Sequence, residues 1–128
     1  MTITEVSEKF DLSPDTLRYY ERIGLLPRVN RNKSGIRDFT EEDCRWVEFA
    51  KCMRGAGLPI EVLIEYVALF QQGEITAAAR KELLIEQRRQ LAIRMEEMQK
   101  TMERLDYKIA RYDQAVVEAE KNLKKSKE

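Results

Sequence analysis

The sequence predicts a mainly α fold: a small head of short helices around a basic hairpin, then one long helix. Three observations carry this. Residues 76–123 contain no Pro and no Gly and are rich in Glu, Lys, Arg, Gln, Met, Leu and Ala, all good helix formers. The first 25 residues hold two short helix patterns, each preceded by a capping side chain and separated by a tight connection. Between them and the next helical pattern lies Asn30-Arg31-Asn32-Lys33-Ser34-Gly35, which is turn chemistry throughout.

Thr2 followed by Glu5 reads as a capping box and opens a helix over about Ile3–Lys9, with Ile3, Val6 and Phe10 at helical spacing. Asp11 and Leu12 make the connection. Ser13 caps a second helix that starts on Pro14, runs to about Arg22 and stops at Gly24. A short helix, a turn and a second capped helix form the helix-turn-helix outline, although generic two-helix packing has the same outline. Leu25-Leu26 on one side and Ile36-Arg37-Asp38-Phe39 on the other are expected to pair as a small ribbon with Gly35 at positive φ. A basic hairpin placed after a helix-turn-helix is a wing, so the head reads as a winged helix-turn-helix.

Thr40 caps a third helix over about Glu41–Arg54, and the acids Glu41, Glu42 and Asp43 suit the positive end of its dipole. Trp46, Phe49, Ala50 and Met53 are expected to face inward. Gly55-Ala56-Gly57 ends that helix, and Pro59 opens a fourth over about Ile60–Phe70. These elements place a head domain in residues 1–75, a dimerisation helix in 76–123 and a charged, frayed tail in 124–128. Read at steps of three and four, the long helix gives Leu84, Arg88, Leu91, Met95, Met98, Met102, Leu105, Ile109, Tyr112, Val116, Ala119 and Leu123. That is an a/d heptad register with a charged misfit at Arg88. A head this small cannot cover so long a seam. The seam therefore predicts a partner helix, most simply from a second copy of the chain, and leaves the strand order open. The alternative is a helix that folds back on its own head.

Charge is balanced, with 23 basic and 23 acidic residues, but unevenly placed. Arg18, Arg22, Arg28, Arg31, Lys33 and Arg37 sit near the single acid Glu21, and this local patch suits a polyanion. The chain has no His, the commonest neutral-pH proton shuttle and metal ligand. It shows no phosphate loop and no paired nucleophile and base, so an enzyme is not expected. Cys44 and Cys52 would lie about 12 Å apart on one helix, too far for a disulfide without unwinding it, and their spacing makes a poor soft-metal site. No metal and no cofactor are expected. Neither a membrane span nor a secretory leader is written in the sequence, which points to the cytoplasm.

Leu17-Arg18-Tyr19-Tyr20-Glu21, Gly24-Leu25-Leu26 and Gly35-Ile36-Arg37-Asp38-Phe39 resemble the signature of the MerR family of bacterial transcription regulators. The likeness continues through the third and fourth helices into the long helix. It implies a homodimer whose long helices pair as an antiparallel coiled coil. Two recognition helices and two wings would then hold a palindromic promoter operator. Such a dimer distorts a promoter with an over-long spacer so that RNA polymerase can read both elements, which uses DNA shape as energy. The resemblance makes Pro14–Arg22 the recognition helix and assigns DNA contacts to Arg18, Tyr19, Arg37 and Arg54. Thr16 is a candidate for a groove edge. Where the family writes two wing tyrosines this chain has Ile36 and Phe39, and Phe39 is expected in the core.

Phe49-Ala50-Lys51-Cys52-Met53-Arg54-Gly55-Ala56-Gly57-Leu58 resembles a narrower branch of the family, which responds to reactive aldehydes and related electrophiles. Cys52 matches the sensor thiol of that branch. On helical geometry Cys52 is expected at the edge of the apolar face, and Cys44, nearly opposite Trp46, is expected to be the more exposed of the two. The functional expectation is a DNA-distorting regulator switched by modification of Cys52. The alternatives are a DNA-binding regulator without small-molecule input, with Cys52 structural, and a coiled-coil interaction protein whose basic hairpin is incidental.

Overall fold

Thr2 opens the first helix as its sequence predicts. Its hydroxyl accepts from the Glu5 N–H at 3.2 Å, and the Glu5 carboxylate accepts from the Thr2 N–H at 3.3 Å. The computed structural model describes residues 1–127, with side chains described through Lys124. Its helices are α1 (Ile3–Phe10), α2 (Pro14–Arg22), α3 (Glu41–Gly55), α4 (Ile60–Gln71) and α5 (Ala77–Lys127), with a 3-10 turn over Glu74–Thr76 leading into the last. The chain divides into two compact units, Met1–Gln87 and Arg88–Glu128.

In the first unit, α1 packs against α2 and α3. Val6, Leu17, Leu25, Val47 and Leu63 are the largest fully buried side chains of the core. Each contributes about 1.5–3 kcal/mol by leaving water. Between α1 and α2, Asp11 takes the left-handed conformation at φ 52° and Ser13 accepts the Thr16 N–H at 3.1 Å. Gly24 ends α2 at φ 85°, so that its N–H reaches the Glu21 carbonyl at 3.2 Å and the Leu25 N–H reaches the Tyr20 carbonyl at 2.8 Å. That closure needs the left-handed conformation at Gly24 and turns Leu25 into the core.

The ribbon keeps the expected return leg, but its first leg is Asn30–Asn32 rather than Leu25-Leu26. The Asn32 N–H donates to the Ile36 carbonyl and the Asp38 N–H to the Asn30 carbonyl, both at 2.8 Å, around one antiparallel bridge between Arg31 and Arg37. Leu25 and Leu26 are not part of it: they are 1% and 3% exposed. Neighbouring residues of a ribbon face opposite sides, so two adjacent leucines there would leave one in water. Burying both rules out that pairing. Gly35, at φ 78°, supplies the tip, and the Asn32 side chain accepts from the Ser34 and Ile36 N–H groups at 2.9 and 3.1 Å. Phe39 is buried, as expected.

The α3 face also needs correction. Its deepest stripe is Cys44, Val47 and Ala50, whereas Trp46, Phe49 and Met53 are only partly buried. α3 is covered on two sides, so a single inward pole centred on Trp46 does not describe it. Trp46 and Phe49 meet Tyr66 and Phe70 of α4, with the Trp46 and Phe70 rings 4.9 Å apart in an edge-to-face arrangement. On the other side the Cys44 Sγ lies 3.8 Å from the Met1 Sδ. Cys44 is thus buried and Cys52 exposed, the reverse of the expected order.

The first turns of α5 belong to this unit. The Thr76 hydroxyl donates toward the Leu69 carbonyl (2.6 Å) and lies 2.8 Å from the Gly73 carbonyl, and it accepts from Arg80 Nε at 3.1 Å. The Arg80 guanidinium sits 5.3 Å from the Phe70 ring centre. The second unit is the rest of α5. Its helix continues to Lys127, through most of the stretch assigned to a frayed tail, whose last residue, Glu128, lies outside the described residues.

Candidate nucleic-acid interface

The basic residues of α2 and the wing come together although they are spread over a stretch of 20 residues, Arg18 to Arg37. Arg18 and Arg22 project from α2, Arg28 and Arg31 from the segment that enters the wing, and Arg37 from its return strand. With Glu21, Gly24, Leu26 and Gln71 they line a hollow of about 640 Å³. Five guanidinium groups around one carboxylate give this face a positive field that the neutral net charge conceals. Planar guanidinium groups are good phosphate partners.

The predicted contact residues occupy different settings. Arg18 is half-exposed and forms an ion pair with Asp15, one turn earlier, at 2.8 Å. Tyr19 is 42% exposed, with the Arg22 guanidinium 5.4 Å from its ring centre. The Thr16 hydroxyl shares a 2.8 Å hydrogen bond with the capping Ser13 hydroxyl and is partly buried, so its polar atom already serves the helix start. Arg37 Nε donates to Glu21 Oε1 at 2.6 Å. Arg54 lies at the far end of α3 and donates to the Leu58 carbonyl at 2.8 Å, bracing the turn between α3 and α4. It does not line the arginine hollow.

Arg22, Arg28, Arg31 and Glu21 were not singled out as site residues from sequence, yet they line the hollow. The available signal was the cluster itself, six bases around one acid within 20 residues.

Cys52 lies in the last turn of α3, where its carbonyl accepts the Ala56 N–H at 3.1 Å. The following turn closes through Gly57 at φ 84°, with the Leu58 N–H on the Met53 carbonyl at 3.0 Å. The two bases that flank Cys52 in sequence make hydrogen bonds to carbonyls: Lys51 to that of Phe10 and Arg54 to that of Leu58. Cys52 is exposed, so its thiol is open to a reagent from solvent, and it sits at a helix end that Lys51 ties to α1 and Arg54 ties to the turn before α4.

Along α5 the seam residues Leu84, Met95, Met98, Met102, Leu105, Ile109, Tyr112 and Val116 are exposed, from 38% at Leu84 to 66% at Met98, and Leu91 is partly buried. An apolar row of this length on a single chain is far more than scattered surface hydrophobes. Among the described residues no group of His, Cys, Asp and Glu is arranged to hold a metal, and no helix is long and apolar enough to cross a membrane.

The chain shares its family and fold with known proteins. Residues 1–69 match the family described as MerR HTH family regulatory protein. The regulator AdhR of Bacillus subtilis is 56% identical over 91 residues, which are 71% of this chain and 65% of that protein's length. The crystal structure of a MerR family transcriptional regulator from Listeria monocytogenes superposes with a TM-score of 0.91 at 52% identity, covering 97% of this chain and 94% of that one. HiNmlR, described as a MerR family regulator lacking the sensor domain and bound to promoter DNA, superposes with a TM-score of 0.81 at 30% identity, covering 89% of this chain and 90% of that one.

Proposed function

The chain belongs to the MerR family of DNA-binding transcriptional regulators, and from that premise we propose that two copies, joined along the α5 seam, hold one palindromic promoter operator. The observation that carries this reading is the arginine-lined hollow between α2 and the wing. In the dimer each α2 enters a major groove, and each wing lies along the adjoining backbone. Arg18 and Tyr19 contact phosphate from α2, and Arg37 does so from the wing. Arg54 extends the basic surface from the end of α3. The solved complex of HiNmlR with promoter DNA supports this mode of binding. An activated dimer bends and untwists a promoter whose spacer is too long, and RNA polymerase then reads both elements.

The switch is Cys52. Its exposure, and its place on the turn that joins α3 to α4, support this over a structural role, because an exposed thiol fills no core. The thiol adds across the carbonyl of a reactive aldehyde: the S–H bond breaks, sulfur bonds to the carbonyl carbon, and the oxygen takes up a proton, giving a hemithioacetal. The added volume pushes on the α3–α4 junction, which Arg54 braces, and turns the heads against each other on DNA. The test is promoter activation under aldehyde challenge in cells carrying Cys52→Ala or Cys52→Ser. A response lost in both variants while DNA binding persists is the expected result; an undiminished response removes Cys52 from the mechanism.

A further inference from the structure

We propose that Glu21 is a positioning residue that sets the wing against the recognition helix and tunes operator preference through Arg37. This rests on the reading of α2 and the wing as a DNA interface. Glu21 follows Leu17 by one turn, on the side of α2 that faces the head, and its side chain is 14% exposed. Both carboxylate oxygens are used. Oε2 accepts the Val29 N–H at 2.8 Å, where the chain enters the wing, and Oε1 accepts Arg37 Nε at 2.6 Å, where it leaves. One side chain of the recognition helix thus holds both legs of the hairpin. The hairpin itself has a single bridge and a few hydrogen bonds, and an isolated two-stranded ribbon is marginal in water.

Charge points the same way. An acid among five arginines opposes a polyanion, so Glu21 lowers general affinity for DNA. What it supplies is geometry. A guanidinium has five N–H donors, and the tie through Nε leaves the terminal amino groups of Arg37 for a phosphate in a fixed direction. Position and attraction therefore have opposite signs at this residue, and an experiment can separate them.

The experiment measures binding of the full chain to two duplexes of equal length. One carries the DNA upstream of its own gene, and the other is a scrambled sequence. Glu21→Gln is expected to bind the scrambled duplex about two- to threefold more tightly, because a negative charge has gone. It is expected to bind the upstream duplex about tenfold more weakly, because the charge-assisted tie to Arg37 has gone. Glu21→Asp keeps the charge but is one methylene shorter. It should lose preference without gaining on scrambled DNA. In an Arg37→Ala background the further change to Glu21→Gln should move the preference less than about threefold, since the residue acts through Arg37. Equal gains on both duplexes would make Glu21 a mere unfavourable charge and overturn the proposal. Equal losses on both, with a lowered melting temperature, would make it merely structural and overturn it too. Amide hydrogen exchange without DNA is the independent arm: Glu21→Gln should speed exchange at Val29 and across residues 31–37, and unchanged exchange refutes the tie. A wild-type chain that does not distinguish the two duplexes would instead count against the DNA-binding reading, while the exchange arm still judges Glu21.

Discussion

Replacing Arg18 with Ala separates its role at DNA from any role in the fold. Its ion pair with Asp15 is exposed, with side chains 48% and 94% accessible. Such pairs contribute about 0–1 kcal/mol, so the melting temperature should barely move. At the duplex the expectation is large. Each phosphate contact adds about 0.9 to the slope of log K against log salt. Two copies of Arg18 on one operator therefore account for a slope of about 1.8. Over a fourfold rise in salt, from about 50 to 200 mM, that slope corresponds to a change of about twelvefold. The deficit of Arg18→Ala relative to the parent should thus shrink by about twelvefold across this range, and should be equal on upstream and scrambled DNA. Fluorescence anisotropy with a labelled duplex reads both quantities. A variant with the parent's salt slope would refute the phosphate role, and a loss confined to the upstream duplex would make Arg18 a base reader instead.

The two cysteines should behave oppositely. Native protein is expected to react with a thiol reagent at Cys52 alone, with Cys44 reacting only on unfolding, as a stopped chromogenic titration would reveal. Cys44→Ser should cost about 1–3 kcal/mol by burying a hydroxyl, and Cys52→Ser less than about 0.5 kcal/mol in a denaturant titration. Gly24→Ala puts a Cβ at φ 85°. It should cost about 1–2 kcal/mol and loosen the hand-over from α2 to the wing, seen as a lower urea midpoint. Leu105→Glu places a charge in the seam, and should weaken self-association by more than about a hundredfold while leaving the head's circular dichroism intact.

Much of the head was legible because its boundaries are set by local chemistry. Thr2, Ser13 and Thr40 each cap the helix assigned to them, since a side-chain oxygen three residues before a free N–H needs no tertiary information. Gly24 and Gly57 end α2 and α3 for the same kind of reason. What failed was tertiary. The Leu25-Leu26 pair has the composition of a strand, but the turn at Gly24 drives both side chains inward before the ribbon starts. The exposure of the cysteines is the reverse of the expectation because α3 is covered from two sides, and Met1 at the N-terminus closes over Cys44. For the interface, the cluster of bases was visible in sequence. That Glu21 ties one of them down, and that Arg54 lies away from the hollow, depended on folding the wing back onto α2.

Sedimentation equilibrium at micromolar concentration, with and without upstream DNA, tests the account most directly. It predicts a particle of twice the 15.1 kDa chain mass, binding one duplex per two chains. A single-chain mass in both conditions would contradict it, because one head cannot grip two half-sites or carry a twist between them.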